Sequence, residues 1–147
     1  MDVYVDGELT ISATKVIEAR DLFLKVLAEG EKDLFLDKEW LKQKWTREPW
    51  VPDEDNPVET PEEFVLLLED KFDRFGVDLE DNGSLTFGMN DSCRHEEYDQ
   101  WIFIALEDVI NDGEFCFSGD GYHWKWVVKD GVLSEHYFGV LDALAEL

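Results

Sequence analysis

Basic residues are scarce in this chain: 13 lysines and arginines stand against 36 aspartates and glutamates, a net charge of −23. Such a field repels DNA, RNA and anionic membranes, so direct binding to any of them is excluded as a first reading. Cysteine is nearly absent, with only Cys93 and Cys116. A small secreted scaffold stapled by disulfides carries more, and the N-terminus has neither the basic nor the apolar stretch of a secretory signal. A cytoplasmic protein with two free, buried thiols is expected. Long hydrophobic runs are missing too: the longest, Trp101 to Leu106, is six residues, against the ~20 of a membrane-spanning helix. No repeat recurs at a fixed period. The ten glycines stand singly, five of them after Asp or Asn, so no phosphate-cradling loop is present.

What is present is a folding composition. Hydrophobic residues make up 44% and aromatics 14%, including six Trp and ten Phe, whereas disordered acidic chains are poor in both. The charge is lopsided. Residues 1–50 carry 11 acids and 8 bases, residues 51–82 carry 12 and 2, and residues 83–147 carry 13 and 3. A salt-loving origin is one source of acidity, but nine lysines against four arginines and the bulky aromatic content fit a partner-directed charge better.

The pattern predicts an α+β fold in one domain spanning 1–147: an antiparallel sheet, including a C-terminal three-stranded meander, packed with about four helices. Residues 2–11 read as one strand or a strand pair about Asp6-Gly7. A helix follows over Ala13–Glu29, with Ser12 as its N-cap and Val16, Ala19, Phe23 and Leu27 at helical spacing. A short helix is expected from Asp37. Residues 46–59 form a Pro-rich loop with an acidic tip, Asp53, Glu54 and Asp55. Thr60-Pro61-Glu62-Glu63 is a capping-box signature opening a helix that Gly76 should stop, with Phe64, Leu67, Leu68, Phe72 and Phe75 on one face. A hairpin turns at Asp81-Asn82-Gly83. Tyr98, Trp101, Ile102, Ala105 and Val109 mark a helix over about 94–110, closed by Asn111-Asp112-Gly113. Asp120-Gly121 and Asp130-Gly131 then punctuate three strands, 114–118, 122–129 and 132–138. A short helix is expected from about Val140.

Candidate chemistry is thin. Asp78, Glu80, Asp81 and Asn82 resemble a calcium loop around Gly83, but the twelfth position is Met89 where a bidentate Glu is needed. Cys93, His95, Glu96 and Asp99 cluster without the second pair that closes a zinc site. His123 and His136 fall in predicted strands, where they could face each other across the meander, and Cys93 as nucleophile with a His as base has no catalytic-family context around it. No catalytic residue, metal or cofactor is therefore expected. Residues 38–47 are the exception to the acidity, with Lys38, Lys42, Lys44 and Arg47 interleaved with Trp40 and Trp45. An amphipathic helix with its Trp side on the core explains them, and a grip on single-stranded nucleic acid or on an acidic partner is the alternative. Trp50, among prolines, reads either as an exposed anchor of the kind found in binding hot spots or as part of the core.

The function expected from charge is protein binding: an inhibitor or adaptor occupying the cationic surface of a basic nucleic-acid-binding protein, a DNA mimic. Small acidic inhibitors of mobile elements that disable restriction or CRISPR effectors are its analogues. The expected contact residues are Trp50, Asp53, Glu54, Asp55, Glu62, Glu69, Asp70, Asp73, Asp78, Glu80 and Asp81. An immunity-type protein neutralising a toxic nuclease shares the electrostatics. A merely solvated acidic surface is the plain alternative.

Overall fold

The computed structural model describes residues 4–29, 48–72, 75–89, 100–119 and 121–138. Six strands form one antiparallel sheet: β1 (Tyr4–Ile11), β2 (Phe75–Leu79), β3 (Leu85–Met89), β4 (Gly113–Gly119), β5 (Tyr122–Lys129) and β6 (Val132–Phe138), in the order β2-β3-β1-β4-β5-β6. Three α-helices occur among the described residues: α1 (Val16–Glu29), α2 (Pro61–Lys71) and α3 (Gln100–Leu106). The helices expected from Asp37 and Val140 lie outside the described residues.

Strand alternation builds the core. Leu9 and Ile11, Leu85 and Phe87, Phe75 and Val77, Phe115 and Phe117, and Trp124, Trp126 and Val128 are all buried. The pairing register puts them on one sheet face: Leu9 opposes Phe87, Phe115 opposes Trp126, and Phe117 opposes Trp124. The helices cover that face. Phe23 of α1 meets Phe64 of α2 at 6.0 Å and Trp101 of α3 at 5.5 Å between ring centroids. Phe103 of α3 packs edge-on to Phe115 at 5.5 Å. Buried positions encircle α3, as they must in a helix inside the core. The other sheet face carries no helix among the described residues.

The meander matches its reading from sequence, and the 81–83 hairpin does too. Asn82 Oδ1 accepts from the Ser84 N–H at 2.9 Å, and Gly83 adopts φ +89°. Of the two readings of residues 2–11 the single strand is the one found, with Gly7 at φ +102° and so close to β4 that a Cβ would lie 2.5 Å from the Glu114 carbonyl oxygen. Only glycine fits there. Two boundaries differ. The second helix ends at Lys71 rather than Phe75. Phe72 is extended, and Phe75 opens β2, where its ring lies 4.9 Å from Phe115 and 5.2 Å from Phe103. Aromatic packing outweighs helical spacing at that point. Gly113 begins β4 instead of closing a helix. Ser12 caps nothing with its side chain; its hydroxyl donates to Asn111 Oδ1 at 3.3 Å, while the Asn111 N–H donates to the Thr10 carbonyl at 2.9 Å.

The capping box of α2 is complete. Thr60 Oγ1 accepts from the Glu63 N–H at 3.1 Å, and Glu63 Oε1 accepts from the Thr60 N–H at 3.0 Å. Thr60→Ala should cost about 1 kcal/mol at neutral pH, as loss of an N-cap hydroxyl does. The bonds that Glu63 accepts, from the Thr60 backbone N–H first and then from its hydroxyl, lower the Glu63 pKa from the ordinary Glu value. A carboxyl whose folded pKa is depressed stabilises the fold above its unfolded pKa and loses that contribution as pH falls through the folded value. The stability gap between the parent protein and Glu63→Gln should therefore close as the solution is acidified below the usual Glu range. Urea unfolding at a series of pH values measures both.

Candidate binding surface

Sheet topology gathers the turns at one end. The β2–β3 turn, the start of β4 and the β5–β6 turn lie at the end where β1 finishes, because Ile11 pairs with Leu85, Leu79 with Leu85, and Lys129 with Val132. The helices add to it. Arg20, near the start of α1, donates to the Glu59 carbonyl at 2.7 Å, which holds the N-terminus of α2 at the same end.

The exposed acids at this end include Glu62 at the start of α2, Glu80 and Asp81 in the β2–β3 turn, Asp108 and Asp112 ahead of β4, and Asp130 in the β5–β6 turn. The last three crowd together. Asp112 Oδ1 accepts from the Asp130 N–H at 2.9 Å, and a Cβ placed on Gly131 would lie 3.7 Å from Asp108 atoms. Asp130 itself adopts φ +51°, a left-handed turn position that Asp tolerates. Exposed bases at this end are Lys15 and Lys129. Six strands at ~4.8 Å spacing make the rim about 24 Å wide, so neighbouring acids fall within a ~8 Å Debye length and act together.

Only part of the expected contact set gathers here. Glu62, Glu80 and Asp81 belong to the rim. Glu69 and Asp70 lie in the last turn of α2 at the opposite end, where Lys71 approaches Asp70 at 3.6 Å. Asp78 opposes Thr86 on the open sheet face, away from the helices. Asp53, Glu54 and Asp55 are exposed in the loop between Trp50 and α2. Asp73 lies outside the described residues. Trp50 is half-buried: it packs against the core, its N–H donates to the Leu27 carbonyl at 2.8 Å, and the Lys71 ammonium sits 4.8 Å from its ring centroid. Asp108, Asp112 and Asp130 were missed by sequence reasoning. Asp112 and Asp130 share a signal, an Asp-Gly pair beside a strand, whereas Asp108 lies in the 3-10 turn Glu107–Val109 after α3, and antiparallel pairing brings these segments to one edge.

The open face offers a second feature, a shallow depression of about 210 Å³ lined by Tyr4, Asp6, Cys116, Ser118 and His123 among others. Cys116 is half-buried there because its neighbours Phe115 and Phe117 take the core face. Burial, reinforced by the Glu114 carboxylate, pushes the thiol pKa up, so Cys116 stays protonated and weakly nucleophilic at neutral pH. His123 opposes Phe138 and His136 opposes Lys125, so the two histidines are diagonal neighbours, not a facing pair. Among the described residues, no group of three or more His, Cys, Asp or Glu side chains is placed to hold a metal ion. No described helix is long and apolar enough to cross a membrane. The Cys93–His95 cluster and the Lys38–Arg47 segment lie outside the described residues.

No protein-family model, curated protein or solved structure matches the chain.

Proposed function

We propose that this protein is an acidic binding protein, an inhibitor or adaptor that occupies the cationic nucleic-acid-binding surface of a partner protein. The gathering of exposed acids along one rim supports the reading. They stand on an edge about 24 Å wide, and a groove that binds a phosphate backbone presents the Lys and Arg that such carboxylates can meet. Their attachment to strand ends and to a capped helix limits the ordering cost of binding.

Capture of partners from a cell lysate on immobilised protein, read by mass spectrometry at low and high salt, tests the proposal. Basic nucleic-acid-binding proteins should be retained at low salt and released at high salt. They should be lost from a rim-neutralised variant carrying Glu62→Gln, Glu80→Gln, Asp81→Asn, Asp108→Asn, Asp112→Asn and Asp130→Asn. Recovery of no basic protein at any salt would leave the acids as a solvated surface and defeat the proposal.

A further inference from the structure

The open face of the sheet divides its charge along a line parallel to the strands. Asp6 and Glu8 on β1 occupy one side, both exposed, and the exposed Glu114 lies on β4 along the dividing line, where Lys125 is its counter-charge. Lys125 and Lys129 on β5, with His123 on β5 and His136 on β6, occupy the other. Two of the described chain's few bases therefore share one small patch. Glu8 lies directly opposite Glu114 across the β1–β4 pair, a like-charge juxtaposition that disfavours the pairing. Lys125 relieves Glu114 at 3.7 Å, and no described cation relieves Glu8.

We infer that this face binds a second copy of the same chain, in a symmetric dimer whose two-fold axis runs parallel to the strands over β4. A two-fold axis makes a surface self-complementary when charge changes sign across it. Rotation about a line over β4 lays β1 of one copy on β5 of the other. Asp6 then meets Lys125 of the second copy at its own level, Glu8 falls over Val127 between Lys125 and Lys129, and the exposed Tyr4 meets its His123. Gly88 on β3 has open space above it, since a Cβ at that position would meet nothing within 4 Å, and it leaves room for the second copy's β6. Five overlapping strands of about seven residues cover roughly 19 by 23 Å, some ~440 Å² of plane, and side-chain relief raises this toward the ~800 Å² per partner of a standard interface.

Cys116 lies on the proposed axis, at the level of Asp6 and Lys125. Aligned sheets pack ~10 Å apart, so the two Cys116 side chains face each other across the interface within reach of a short bis-maleimide. The axis also keeps both acidic rims at the same end of the dimer. Dimerisation is independent of the docking function, and a monomeric protein would leave the rim intact.

Sedimentation of the full chain over a concentration series tests it, together with cross-linking of Cys93→Ser, in which Cys116 is the remaining thiol. The parent protein should sediment as a dimer, and Cys93→Ser should cross-link into dimers. Lys125→Glu with Lys129→Glu should be monomeric, and so should Asp6→Lys with Glu8→Lys. An equimolar mixture of the two variants should dimerise again, which misfolded chains would not do. A parent that stays monomeric at every concentration overturns the inference. So does a dimer that survives in both charge-reversed variants.

Discussion

Glu135→Ala should lower stability by about 3–5 kcal/mol, far more than an exposed glutamate would. Glu135 lies on the core face of β6, opposite the fully buried Trp126. Its Oε2 accepts from the Trp126 indole N–H at 2.7 Å and from the buried Gln100 amide at 2.9 Å. Truncation strands both donors away from water, and hydrogen bonds to a charged acceptor are worth ~1.5–3 kcal/mol each. Glu135→Gln keeps a carbonyl acceptor and should cost only about 1–2 kcal/mol. The midpoint of urea unfolding, at unchanged slope, measures both. A Glu135→Ala protein within about 1 kcal/mol of the parent would show that the carboxylate is not a core acceptor.

Glu135 shows where the sequence was readable and where it was not. The sequence Leu133-Ser134-Glu135-His136-Tyr137 alternates, so a strand through it sends Glu135 to the same face as Leu133 and Tyr137. The strand was legible, but a glutamate in an acidic chain looked like one more surface charge. The meander and the α2 cap were legible for the same reason: turn residues and capping boxes act locally. The end of α2 was not. Phe72 and Phe75 fit a helical face by spacing, and only the aromatic cluster around Phe103 draws Phe75 into a strand. The binding surface was half legible. Net charge pointed to a basic partner, but which acids stand together depends on strand order, and β1 lying between β3 and β4 leaves no local trace.

That distinction sets the second large effect. The rim-neutralised variant should associate with its basic partner roughly 10- to 1000-fold more slowly, with a flatter dependence on salt, as loss of electrostatic steering does. A control variant removes the same charge elsewhere: Asp53→Asn, Glu54→Gln, Asp55→Asn, Glu69→Gln, Asp70→Asn and Asp78→Asn. It should retain most of the association rate, because those acids are spread over the loop, the far end of α2 and the open sheet face. Equal slowing in both variants, measured by stopped-flow mixing, would assign the effect to net charge alone.

Competition with duplex DNA for a captured partner tests the central claim most directly. The complex is formed at low salt, DNA is added in increasing amounts, and release of the acidic protein is followed by fluorescence anisotropy. If the rim occupies the nucleic-acid-binding surface, DNA should displace the protein in full, at concentrations set by the partner's own affinity for DNA. A stable ternary complex, with the protein retained while the partner is saturated with DNA, would contradict the account.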